Sequence, residues 1–155
     1  MSFRPLSLES RPETCRKETR LMIDHHAALI YVMVVMSASD QSMPDSELSE
    51  MTDLVVHLPI FRDFDKSLIA KTSAACVDML KGADGLDKIL KLVRDGLPEK
   101  LRETAYALAC DVAAADGKVT VEESRLLEMI RYELQIGKLV AAAIERGARA
   151  RHLTL

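Results

Sequence analysis

The residues best equipped for chemistry crowd into one short string, Ala114-Ala115-Asp116-Gly117-Lys118-Val119-Thr120-Val121-Glu122-Glu123. Read as a calcium loop, Asp116, Gly117, Val119 and Glu123 fall at the fifth, sixth, eighth and twelfth positions of the EF-hand pattern. The first and third positions are Val112 and Ala114, which carry no side-chain oxygen, so the cage lacks two ligands for a hard divalent cation. Read as backbone chemistry, Gly117 ends one helix in a left-handed conformation and Val119 turns inward to seal the corner. Thr120 and Glu123 then form a capping box for the next helix. Asp40 and Glu47 repeat the outer pair earlier in the chain, with Gln41 in place of the glycine and Pro44 in place of the capping threonine.

Other reactive side chains are scattered. His25 and His26 are adjacent, so on a helix they point about 100° apart and do not grip one metal together. They flank the start of an apolar helix, and Asp24 beside them offers a local hydrogen bond. Cys15, Cys76 and Cys110 are odd in number, widely spaced and in no zinc-like cluster, which suits a reducing compartment. The methionines Met33, Met36, Met51, Met79 and Met129 sit on apolar stripes and read as packing residues. The chain has no GxSxG, P-loop, dinucleotide-binding glycine string or HExxH. A non-enzymatic binding role is therefore expected.

Charge is unevenly spread. Residues 37–65 hold seven acids against the single base Arg62, whereas residues 138–152 hold Lys138, Arg146, Arg149 and Arg151 against Glu145. Asp40, Asp45, Glu47, Glu50 and Asp53 stand close together without a Lys or Arg among them, so helical neighbours repel. A protein partner with a basic surface would relieve that repulsion, and Asp45, Glu50 and Asp53 are the expected contact residues. The net charge of −3 argues against nucleic acid, which demands an extended basic surface. The basic tail at Arg146, Arg149 and Arg151 complements the C-terminal end of a last helix. Its alternative use, on anions or a membrane surface, lacks large apolar anchors. Self-association is compatible with the sequence and not specified by it.

These residues need a scaffold, and composition names its class. The chain of 155 residues is 48% hydrophobic and 29% charged, with no Trp and only three Phe and three Tyr, a mix that favours helices over sheets. Residues 1–18 read as a flexible lead-in, and residues 19–155 as a single domain. The N-terminus lacks the apolar core of a secretory signal, so a cytoplasmic protein is expected. Ten uncharged apolar residues at 27–36 are about half a membrane span and predict a helix buried on all sides, within a longer helix from about residue 19 to 39. Further helices are predicted over 45–57, 66–80, 85–95, a stretch after Pro98, 120–134 and a stretch after Gly137. The expectation is an all-α compact bundle of about seven helices, with Leu68, Ile69, Ala75, Cys76 and Met79 facing inward on the third.

The order of elements repeats. Sliding the chain by 76 residues lays 27–60 on 103–136 without a gap and matches Ala38 with Ala114, Asp40 with Asp116, Glu47 with Glu123, Leu58 with Leu134 and Ile60 with Ile136. Each half is a long apolar helix, an acidic turn and an amphipathic helix, so the bundle is built from two pseudo-equivalent helix-turn-helix units.

With SASDQSMPDSEL in the first unit and DVAAADGKVTVEES in the second, the chain resembles the bacterial TerB-like family over residues 24–136. That family is named for tellurite-resistance proteins and also occurs as a module beside J-domains. The resemblance implies a compact helical cytoplasmic domain tied to stress responses against toxic oxyanions, phage or colicins, with metal binding proposed. The acids matching its pattern are Asp111, Asp116 and Glu123 in the second unit and Asp40 and Glu47 in the first, a tentative divalent-cation set. Val35 stands where the second unit has Asp111, and Asp40-Gln41 replaces Asp-Gly. A metal-dependent enzyme built on Asp111, Asp116 and Glu123 would also require a base or nucleophile nearby, and His57 and His152 lie on unpromising segments.

Overall fold

Nine consecutive residues, 28–36, are buried to 5% exposure or less, and this apolar rod organises everything around it. It belongs to α1 (His25–Ser37) in the computed structural model, which describes residues 21–38 and 44–155. The helix begins later than the periodicity predicts. Residues 21–24 are not helical, because the Asp24 carboxylate accepts the Ala27 N–H at 2.8 Å and caps the first turn. Residues 1–20 and 39–43, including the predicted lead-in and Asp40, lie outside the described residues.

Six more α-helices follow among the described residues: α2 (Asp45–His57), α3 (Leu68–Leu80), α4 (Gly85–Gly96), α5 (Arg102–Ala114), α6 (Val121–Glu133) and α7 (Lys138–Arg151). Short 3-10 turns follow α2 and α4: one, Pro59–Phe61, begins with a proline, and the other, Glu99–Leu101, comes just after Pro98. There is no strand among the described residues. Helix α5 lies most broadly across α1, with α3 and α4 on its other sides, while α6 and α7 pack on α5. No helix of the described residues is long and apolar enough to cross a membrane. The repeat survives in the helix boundaries. A shift of 76 residues carries α2 onto α6 end for end and brings α1 within one residue of α5.

Two details show how sequence sets packing. On α3 the inward stripe is Ile69, Ser73 and Cys76, whereas Leu68 is 43% exposed and Ala75 is also exposed. This corrects the predicted phase. The helix starts at Leu68 instead of residue 66, and a buried serine holds the central place in the stripe. At the end of α4, a Cβ on Gly96 would stand 2.7 Å from the Ile23 carbonyl oxygen, so only glycine lets the segment before α1 cross there. His26 ties the same region to the turn after α2, its Nε2 lying 2.8 Å from the Ile60 carbonyl oxygen and its ring beside Phe61 and Phe64.

Candidate functional site

The acidic turn is built as backbone chemistry requires. The α5 helix stops at Ala114, the Gly117 N–H bonds the Ala114 carbonyl at 2.9 Å, and Gly117 takes a left-handed φ of 75°. Thr120 caps α6: its Oγ1 accepts the Glu123 N–H at 3.1 Å, and Glu123 Oε2 accepts the Thr120 N–H at 2.8 Å. Val119 does not seal the corner, being 46% exposed. In the first unit Glu47 holds the same third helical position in α2 and is half-buried, but Pro44 supplies no side-chain cap.

The family acids are drawn in different directions. Asp116 is exposed on the turn and Glu123 serves the cap. Asp111, one turn before the end of α5, accepts from Arg151 Nη2 at 2.6 Å and lies 3.4 Å from His152 Nε2. Among the described residues no three His, Cys, Asp or Glu side chains stand together as a metal-binding group would. Asp40 falls outside those residues.

His152, beside Asp111 and Arg151, is also part of the wall of a groove of about 590 Å³ between α6 and α7. Its floor is α5, where Cys110, Ala113 and Ala114 are buried; Leu127 and Arg131 line the α6 side, and Ala148 and His152 the α7 side. Also in its lining, the Tyr106 hydroxyl donates to Glu145 Oε1 at 2.6 Å. Burial first, and then that bond to Glu145, pushes the Tyr106 hydroxyl far above its ordinary range. Burial likewise pushes the Cys110 thiol up to about 12, with Glu145 and Asp111 adding to the shift. Neither group ionises readily near neutrality, so the groove holds no prepared nucleophile in these two residues. Sequence reading missed the groove because Asp111 meets Arg151 across 40 residues and Tyr106 meets Glu145 across 39. One signal was present. Asp111 is a charged residue in the second unit where the first has buried Val35, and a half-buried carboxylate demands a cation.

A second surface is defined by charge. Asp45, Glu50 and Asp53 are exposed on α2, whose inner side buries Met51 and Val55, and none of the three is in an ion pair among the described residues. Some acids elsewhere are paired, Asp78 with Lys81, Glu133 with Arg94 and Glu128 with Arg131.

Comparison with known proteins agrees with this helical plan. The family model described as tellurite resistance protein TerB matches residues 26–145, from the first turn of α1 to the middle of α7. Neither the curated proteins nor the solved structures contain a significant match. Since the matched stretch takes in most of the chain and both helix-turn-helix units, the protein belongs to the TerB family.

Proposed function

We propose that this TerB-family chain acts by binding rather than by catalysis, and that it takes a basic protein partner on the outer face of α2. The observation that carries the reading is the set of three exposed carboxylates, Asp45, Glu50 and Asp53, on a helix with no Lys or Arg of its own. Like charges three residues apart, as at Glu50 and Asp53, destabilise a helix, and a cationic surface laid across them turns the repulsion into attraction. The binding role is further supported by the way the reactive groups are occupied. Tyr106, Glu145, Asp111, Glu123 and His26 are all engaged in bonds that join elements or cap them. The stress-response setting comes from the family, whose description is tellurite resistance.

Association of this kind is fast and weakens as salt screens it, over a Debye length of about 10 Å at 0.1 M. The test is co-purification from cell extract at low salt. Reversing Glu50 and Asp53 to Lys should abolish recovery of the basic partner while circular dichroism and melting stay close to the parent. Undiminished recovery of every bound protein by the double reversal would refute the proposal.

A further inference from the structure

We infer that the last turn of α7 is a latched cover over the α5–α6–α7 groove, held shut by Arg151 and His152 on Asp111 and opened when that contact breaks. The anchoring of α7 is the first ground. Its fully buried residues are two alanines, Ala141 and Ala148, with Ile144 partly buried between them, whereas α1 buries nine residues and α5 seven. α7 lies broadly against α5 through this seam of small side chains, and polar ties add to its hold.

Those ties are two, and they lie on either side of a weak point. Glu145 is held by Tyr106 in mid-helix, and Arg151 with His152 is held by Asp111 at the end. Between them stands Gly147, in a helix interior where glycine is a poor choice. No packing requires it. A Cβ there would meet only the far end of the Arg151 side chain, at 3.5 Å. The helix is thus soft just where its last turn must bend away.

The two halves of the latch differ in exposure. The Asp111 side chain is 16% exposed and fixed on α5, while that of Arg151 is 56% exposed at the end of α7. Arg149, His152 and Leu153, on that moving half, line the same groove as Cys110, Ala113 and Ala114. When the turn lifts, this apolar floor is uncovered while α1 and its neighbours stay packed.

Cys110 makes the motion measurable, because Cys76 is an internal control. Both thiols are buried, Cys110 beneath the cover and Cys76 between α3 and α1, where its Sγ approaches the Tyr31 carbonyl oxygen. Local opening exposes only the first, and global unfolding exposes both. The experiment is modification of the intact protein by N-ethylmaleimide, with each cysteine followed by peptide mass spectrometry. Asp111→Asn and Arg151→Gln should each speed modification of Cys110 by about tenfold and leave Cys76 unchanged. Gly147→Ala should slow Cys110 by about threefold, again without effect on Cys76. Parallel changes at both cysteines, or a Cys110 rate indifferent to Arg151→Gln and Gly147→Ala, would overturn the inference. Those two substitutions are at sites that leave the apolar core intact, so the test survives if Asp111→Asn does not fold.

Discussion

Glu123 occupies a position where two different roles predict opposite outcomes. Its Oε2 accepts the Thr120 N–H and its own N–H is capped in return, so the carboxylate is explained by two hydrogen bonds and an amide can stand in for it. Glu123→Gln should therefore change stability by less than about 0.5 kcal/mol, and Thr120→Ala should cost about 0.5–2 kcal/mol, measured by urea unfolding. Calcium, magnesium or zinc should leave the melting temperature of the parent unchanged. A cation-dependent rise that vanishes in the Gln variant would make Glu123 a ligand instead. The capping box was readable from sequence because its partners are three residues apart and depend on nothing beyond the turn. Val119 was not, since its 46% exposure is decided by the groove that α7 leaves beside it. The partners of Asp111 were out of reach for the same reason: Arg151 is 40 residues away, and only the tertiary fold brings the two together.

The burial of the central element was legible, although its start was not. The run at 27–36 has no polar side to orient it, and burial on every side followed from that alone. Its partner α5 buries Ala105, Tyr106, Leu108, Ala109, Cys110, Ala113 and Ala114, and the two helices share the widest contact in the molecule. Leu108 is 2% exposed, so Leu108→Ala should leave a cavity costing about 2–5 kcal/mol, read from chemical denaturation. A loss below about 0.5 kcal/mol would place Leu108 outside the core. On α3 the phase was hidden, because Ser73 is polar yet 3% exposed and the apolar pattern, taken by itself, turns Leu68 and Ala75 inward in its stead. The start of α1 depended on one side chain. Asp24 caps it, and no periodicity marks a boundary that a hydrogen bond decides.

For the molecule as a whole, burial of thiols sets a limit on alkaline stability. Cys76 and Cys110 are both held up to about 12, from an ordinary value of 9.0, chiefly by removal from water. Above pH 9 the unfolded chain releases thiol protons that the folded chain keeps, so folding stability is intact below that pH and falls as pH rises toward 12. The slope is about 1.4 kcal/mol per pH unit for each thiol. Urea midpoints measured from pH 8 to 11 should decline accordingly, and Cys76→Ala should show a shallower decline than the parent even if it starts lower. A parallel decline in the two proteins would mean that Cys76 ionises alike folded and unfolded. The placement of the latch also bears on where the domain ends. The stretch recognisable as TerB stops at residue 145, yet Asp111, inside it, is paired with Arg151 and lies beside His152, both outside it. A fragment cut at the family boundary would retain the acid and discard its arginine partner, along with Ala148, Arg149, His152 and Leu153 of the groove wall. The segment that defines kinship and the segment that supplies the partner of Asp111 are therefore two different lengths of the same chain.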